Sequence, residues 1–460
     1  MRRVALRAKS ALILCAVLGV GVIAFLAVYW VNSPDWIVFE SSPHVYSGGN
    51  LSVGTVVDRN GTLLLDNADG RTYAEDATVR AATLHILGDR DGYIPSYMLN
   101  EYAEELIGFS RVSGIYSAVE GDGGTLTLTI SADVQKIALE QLGERKGVVA
   151  VYNYQTGEIL CAVSSGTYDP DDVPEIGDSP TGYYDGVYVN RLTSATYVPG
   201  SIFKLVTATA ALETIPDIES QTFYCTGSYE INGDTITCDG IHGTITFQEA
   251  LTKSCNVAFA QISEMLGAEV LTEYAEKAGI NSTLSFDGIT TVSGNFDLSD
   301  AATSEVAWAG IGQYTDLINP CSYMVFMGMI ANGGSAAVPY MVSSVSNGAG
   351  ITTYSADTTY TDAAMTASTA ESLAVMMHNN VVNNYGESNF PAGLYVCAKS
   401  GTAEVGGDEA PHATFAGFVQ SDDYPLAFIV IVENGGYGSS VCTSIAGTVL
   451  QACVDAMDAQ

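Results

Sequence analysis

From Ala11 to about Val31 the chain runs without a single charged side chain, and nothing constrains its fold more. About 20 consecutive apolar residues is the length of a helix that crosses the hydrocarbon core of a bilayer. Arg2, Arg3, Arg7 and Lys9 precede the run, and Trp30 and Trp36 flank its far end. Basic flanks stay on the cytoplasmic side, and amphipathic rings favour the interface. A cleaved signal peptide would carry a shorter apolar stretch, about 7–15 residues, closed by a small-residue site. No convincing site of that kind precedes Trp30. The expectation is a cytoplasmic tail at 1–10, a single-pass anchor in the cell membrane at 11–31, and an extracytoplasmic remainder.

That remainder is long enough to bury one large core and carry a smaller second domain. With 47% hydrophobic and only 15% charged residues, the full chain lacks the composition of a disordered one. The 52 acidic residues against 17 Lys and Arg argue against nucleic acid, which needs clustered cations for its phosphates. The nine cysteines include no C-x-x-C pair, so their spacing gives no zinc pattern, and nothing points to a metal or organic cofactor. Cys225 and Cys238 bracket a turn-rich segment and read equally well as a disulfide or as two buried thiols.

Along the chain, 33–124 reads as a small pedestal and 125–460 as the main domain. Within the pedestal, Gly54 to Gly61 is a short strand running into an Asn-Gly turn, and Ser96 to Gly108 has helical spacing. Gly121 to Gly124 reads as a hinge. The main domain opens with a strand at Thr125–Ile130, a helix from Ser131 to about Gly143, and a hairpin turning at Gln155-Thr156-Gly157. Helical patterns fill the middle. Strands return at Leu394–Lys399, Ala413–Gln420 and Pro425–Glu433, before a last helix at about Ser440–Met457. A sheet that gathers strands so distant in sequence predicts an α/β (α+β) fold, with a largely antiparallel central sheet flanked by helices.

Three segments carry chemistry. Pro199-Gly200-Ser201-Ile202-Phe203-Lys204 opens an Ala-rich helix running to about Glu213. Proline suits a first helical turn, and free N–H groups there favour developing negative charge. Residues i and i+3 share a helix face, so Lys204 can serve as the base that the weak Ser201 nucleophile requires. Lys253-Ser254-Cys255-Asn256 follows a helix started by the capping box Thr246 to Glu249. There Ser254 can relay a proton and Asn256 can hydrogen-bond a substrate amide. Ala398-Lys399-Ser400-Gly401-Thr402 follows an apolar strand. Lys399 would bring positive charge to a cleft, Ser400 and Thr402 hydroxyls for a carboxylate, and Gly401 room for close substrate approach. Taken alone, the Ser201 and Ser254 segments read sooner as an ordinary helix start and helix end, and the Lys399 segment reads reasonably as a strand end with a surface lysine.

In this order, S-x-x-K, S-x-N and K-[ST]-G resemble the motif set of the penicillin-binding protein and serine β-lactamase superfamily. Other segments narrow the resemblance to class B penicillin-binding proteins: Val53–Gly61, Leu126–Gln135, and the run Cys225 to Asn256 with His242-Gly243 and Glu249-Ala250-Leu251. Gly310–Gln313, Ala331–Gly334 and Glu433–Gly436 also fit. The likeness covers nearly everything from residue 53 onward. It implies a serine D,D-transpeptidase that cross-links peptidoglycan stem peptides ending in D-Ala-D-Ala, is acylated by β-lactams, and works beside a polytopic glycan polymerase. The resemblance makes Ser201, Lys204, Ser254 and Lys399 catalytic, and Asn256, Ser400, Gly401 and Thr402 substrate-binding, with backbone N–H groups of Ser201 and Thr402 as oxyanion donors. Ser400 stands where threonine is commoner, and His412–Phe415 lacks the tryptophan often found in that strand. No glycosyltransferase domain precedes the pedestal, which speaks against a bifunctional class A enzyme. A D,D-carboxypeptidase or β-lactamase shares the motifs but lets water deacylate. A scaffold that chiefly regulates a polymerase is the non-enzymatic alternative.

Overall fold

The computed structural model describes residues 2–37, 45–47, 50–67, 70–108, 123–177, 181–407 and 409–459. The apolar run lies in one helix, Arg2–Ile37, of 36 residues. At 1.5 Å rise per residue it is about 54 Å long, so both ends outreach a hydrocarbon core about 30 Å thick. A second helix, Gly438–Asp458, is also long and apolar enough to span by composition, but half of its most apolar window is buried inside the protein. It packs on the central sheet and on the helix Ala132–Leu142 as a core element.

The central sheet has five strands in the order Val396–Ala403, His412–Val419, Leu426–Val432, Gly147–Asn153, Ile159–Ser164, every neighbour antiparallel. Helices cover both faces, which is why these strands read as unbroken apolar runs rather than as alternation. Alternate residues still divide between two cores. Val149, Val151, Phe415 and Val430 face the layer holding Gly438–Asp458. Val148, Ala150, Tyr152, Ile429 and Ile431 face the opposite layer. There Pro320–Ala331 and Ala367–Asn380 lie on the sheet, with Lys204–Thr214 and Asn256–Lys277 packed together beyond them.

A six-stranded sheet runs in the order Thr352–Ser355, Val342–Ser346, Thr125–Leu128, Thr55–Val57, Leu63–Asp66, Thr72–Tyr73. Strands from both sides of residue 124 therefore pair, Thr55–Val57 lying parallel to Thr125–Leu128. Asp58 ties this sheet to the main domain. Its Oδ1 accepts from the N–H groups of Asn60 and Thr62, closing the Asn-Gly turn, while its Oδ2 accepts from Ala132 N at the start of a helix.

Two expectations need correction. The helical pattern at 96–108 is two short helices, Tyr97–Glu101 and Ala103–Ile107. They break at Tyr102, whose backbone leaves helical geometry and whose hydroxyl donates to Asp287 Oδ1 at 2.8 Å. The strand expected to end at Lys399 continues to Ala403, because His412–Val419 pairs with it along its whole length. The hinge expected at Gly121–Gly124 lies partly outside the described residues.

Candidate active site

The Pro199-Gly200-Ser201 turn is shaped by close backbone packing. Gly200 has φ +57°, and a Cβ there would stand 2.5 Å from the Thr402 carbonyl oxygen. Gly200 N donates to Gly312 O at 3.1 Å, and Thr414 Oγ1 donates to Pro199 O at 3.1 Å. The first turn, Gly200–Phe203, is a 3₁₀ helix, and the α-helix proper begins at Lys204. In 3₁₀ geometry i and i+3 eclipse, which brings Ser201 and Lys204 into register. Lys204 Nζ lies 3.0 Å from Ser201 Oγ.

Lys204 is fully buried, and Lys399 is 1% exposed. Neither takes part in an ion pair among the described residues. Burying two unpaired cations is costly, and the groups respond by favouring the neutral form. Desolvation brings the Lys204 ammonium from 10.5 down to about 8, against an opposing pull from Cys238, Cys255 and Asp239. Lys399 is pushed well below its ordinary value, by burial first and by repulsion from Lys204 second.

Lys204 Nζ has further contacts to Ser254 O at 2.7 Å, Asn256 Oδ1 at 2.6 Å and Ser254 Oγ at 3.2 Å. A neutral amine has two hydrogens and one lone pair. Donating the hydrogens to the two acceptor-only oxygens, Ser254 O and Asn256 Oδ1, leaves the lone pair for the Ser201 hydroxyl proton. Lys399 Nζ approaches the same Ser254 Oγ at 3.0 Å and donates to Ser400 O at 2.7 Å. Ser254 thus stands between two amines. It lies in the link between helices Phe247–Thr252 and Asn256–Lys277, with φ +50°, a conformation that non-glycine residues hold only when their surroundings enforce it. The expected capping box is present: Thr246 Oγ1 accepts from Glu249 N, and the Glu249 carboxylate accepts from Thr246 N.

All eight residues singled out from the sequence come together. Seven line one cleft of about 830 Å³, and the eighth, Lys204, lies buried beneath it. Asn256 is held at both ends, since its Nδ2 also donates to Thr237 O at 2.9 Å, leaving one amide hydrogen for a ligand. Gly401 meets a constraint that the sequence reading did not give it. A Cβ there would collide with Thr414 Oγ1 and stand 2.9 Å from Pro199 O, so the glycine first of all lets the strand press against the Ser201 turn.

Sequence reasoning missed Tyr385. Its hydroxyl donates to Ser400 Oγ at 3.0 Å and accepts from Ser400 N at 2.8 Å. It sits in a π-helical turn, Val381–Tyr385, whose Asn384 Nδ2 donates to Thr252 O at 2.6 Å. Irregular turns of this kind carry no periodic signal, although they recur at functional sites. Also missed was a cluster beneath the Ser254–Asn256 link. The Cys225, Cys238 and Cys255 thiols and the His242 ring lie together, with their donor atoms within 4.8 Å of one another. The three cysteines are free thiols. The Cys238-x₃-His242 spacing was the legible hint, obscured by the distance of the other two residues in sequence.

Residues 147–451 match the family described as penicillin binding protein transpeptidase domain. The peptidoglycan D,D-transpeptidase PbpA of Mycobacterium tuberculosis is 28% identical over 391 residues, covering 78% of this chain and 78% of its own length. Stage V sporulation protein D of Bacillus subtilis is 28% identical over 352 residues, covering 72% of this chain and 53% of its own. Among solved structures, the D,D-transpeptidase domain of a peptidoglycan glycosyltransferase from Eggerthella lenta superposes with TM-score 0.75 at 26% identity, covering 89% of this chain and 99% of that one. The ceftriaxone acyl-enzyme complex of penicillin-binding protein A from M. tuberculosis gives 0.76 at 25% identity, covering 87% and 98%.

Proposed function

The chain belongs to the penicillin-binding protein transpeptidase family, and from that premise we propose that it is a peptidoglycan D,D-transpeptidase acting through a Ser201 acyl-enzyme. The observation that carries this reading is the buried Lys204 amine, lowered to about 8 and 3.0 Å from Ser201 Oγ. A serine hydroxyl is a poor nucleophile until a base takes its proton, and at pH 7 about a tenth of the molecules hold this amine neutral and ready to take it.

Ser201 Oγ attacks the carbonyl of the penultimate D-Ala of a stem peptide as its proton passes to Lys204. The N–H groups of Ser201 and Thr402 receive the developing oxyanion. Ser254, within reach of both amines, relays the proton to the departing D-Ala nitrogen as the C–N bond breaks. An amine from a second stem peptide then attacks the ester and restores the Ser201 hydroxyl. Asn256 orients the donor peptide, while Ser400 and Thr402 hold its carboxylate beside Lys399. A β-lactam enters the same sequence, but its nitrogen stays tethered after ring opening, so the ester persists where water is excluded.

The basic residues Arg2, Arg3, Arg7 and Lys9 favour a cytoplasmic N-terminus. The catalytic region, 125–460, then lies outside with the pedestal, 33–124, between it and the membrane. The exposed anchor helix offers an intramembrane surface to a polytopic glycan polymerase.

The test is intact-mass spectrometry of the full-length protein with benzylpenicillin, wild type beside Ser201→Ala. A stable adduct on wild type alone is expected. Acylation of Ser201→Ala at the wild-type rate would refute the nucleophile, and steady hydrolysis of the drug would make the protein a β-lactamase instead.

A further inference from the structure

The strand Val396–Ala403 lies at one end of the central sheet, so one of its edges has no neighbouring strand among the described residues. Tyr395 O accepts from Gln420 N across the sheet. By alternation, odd-numbered residues turn their backbone groups to His412–Val419, and even-numbered ones turn theirs to the free edge. Unpaired edges invite a further strand unless something covers them. Here three side chains do so. His378 Nδ1 lies 2.9 Å from Val396 O and is the donor, since a carbonyl oxygen only accepts. Asn380 Nδ2 donates to Ala398 O at 3.0 Å. The Tyr385 hydroxyl accepts from Ser400 N at 2.8 Å. The next residue on that edge is Thr402, whose N–H serves the oxyanion in the acyl-enzyme reading.

A regular helix would not bring Tyr385 to the strand beside Asn380, because residues five apart differ by about 140° around an α-helix. The wider π turn Val381–Tyr385, closed by Gly386 N donating to Val381 O at 2.8 Å, carries Tyr385 round to that side. The same turn crosses the cleft. Asn384 Nδ2 holds Thr252 O on one wall, two residues before Ser254, and the Tyr385 hydroxyl holds Ser400 on the other. Asn383, Asn384 and Tyr385 all line the cleft. The Tyr385 ring is fixed in place: it is buried, Phe415 lies edge-on to it at 5.1 Å, and Asn389 Nδ2 donates to its carbonyl at 2.6 Å.

We propose that Tyr385 determines specificity: with its turn it closes the cleft just past Ser400 and restricts the donor to peptides that end there in a free carboxylate. The inference rests on the Ser201 acyl-enzyme reading, in which the scissile carbonyl sits between Ser201 and Thr402 and the carboxylate at Ser400. A donor running along the edge from Thr402 to Ser400 has room for one residue after the scissile bond. A second would meet the Tyr385 ring and would need the edge at Ala398, where Asn380 already stands. A bond inside a longer peptide is therefore out of reach.

Three acyl-D-Ala thioesters test this on full-length protein in detergent. Their leaving thiols end in a free carboxylate, in a primary amide, or in a glycine joined through that amide. Ser201 Oγ forms the ester, the C–S bond breaks, and the thiol leaves with the serine proton, so released thiol and intact mass both report acylation. The amide removes the charge, and the glycine restores a carboxylate one residue further on. On wild type the glycine probe should react about tenfold or more slowly than the amide probe, as for a group that a pocket does not admit. Tyr385→Ala should bring these two rates together, and Tyr385→Phe, which keeps the ring, should not. Because Tyr385→Ala can disturb the turn, Tyr385→Leu is a second variant with the same expectation. A general loosening of the site slows all three probes and does not raise one against another. Benzylpenicillin acylation of wild type, run in parallel, tests the Ser201 reading separately. With that acylation normal, equal rates for the amide and glycine probes on wild type would overturn the proposal, as would a glycine penalty that survives in folded Tyr385→Ala or Tyr385→Leu.

Discussion

Replacing Lys204 by arginine should abolish acylation while keeping a cation in place. The guanidinium stays protonated at every accessible pH and cannot take the Ser201 proton. A well-placed general base contributes about 10²–10⁴-fold, and the second-order rate constant for acylation by benzylpenicillin should fall by that factor. The wild-type pH profile gives an independent measure. With the Lys204 amine lowered to about 8, about a tenth of the molecules carry the neutral base at pH 7, against about one in 3,000 for an unperturbed lysine. The gain is about 300-fold, and burial supplies it against the opposing pull of Cys238, Cys255 and Asp239. The sign follows directly. The reactive form is deprotonated, so the rate should climb about tenfold per pH unit below 8 and level off above it. Quenched-flow intact-mass measurements across that range give the profile. Lys204→Met serves as a control, because it removes the amine without adding bulk to the closed site and should be folded and equally inactive. A flat profile, an inflection near the ordinary lysine value, or a Lys204→Arg rate within tenfold of wild type would refute the assignment of Lys204 as the base.

Tyr385→Phe should leave Ser400 N and Oγ without their shared partner, costing about 0.5–1.5 kcal/mol of stability for each hydrogen bond lost by this half-buried residue. Acylation should weaken severalfold while the wild-type pH profile is kept, and unchanged unfolding and acylation would show that Ser400 is held by other means. Gly401→Ala forces a Cβ against Thr414 Oγ1 and the Pro199 carbonyl, an overpacking cost of about 1–3 kcal/mol. It should displace the Ser201 turn and slow acylation at least tenfold, even for small β-lactams that need no room at Gly401, and retention of normal rates with small β-lactams but not with bulky ones would return the glycine to a role in substrate approach.

The site was legible in sequence to the extent that its parts are local. Ser201 with Lys204, and Ser254 with Asn256, lie within one turn of chain, so backbone geometry alone brings each pair together. Elements went wrong where a distant segment decides the outcome. Lys399-Ser400-Gly401-Thr402 has the composition of a strand end, yet it remains strand because Phe415, Thr414 and Ala413 pair with its last three residues. The apolar spacing of 96–108 is real, but Tyr102 leaves the helix and reaches Asp287. Tyr385 could not be read at all, since its place beside Ser400 depends on how the helix Ala367–Asn380 packs against the strand.

The Ser254–Asn256 link shows how such distant decisions converge on chemistry. Ser254 holds a left-handed conformation that costs a non-glycine residue of order 1–3 kcal/mol, and it persists only where neighbours over-determine it. The restraints are visible on both sides. Lys253, Ser254 and Cys255 donate their backbone N–H groups back to Glu249, Leu251 and Ala250. Beyond them, the Cys255 thiol accepts from Ala258 N and meets Cys238 across the cluster. From above, Lys204 and Lys399 bracket the Ser254 hydroxyl. A relaxed backbone here would turn that hydroxyl away from one amine or the other and break the proton path between them. The strain is therefore tied to the relay, and the contacts of the Cys255 thiol, beside Ser254 in the chain, are among the restraints that hold it.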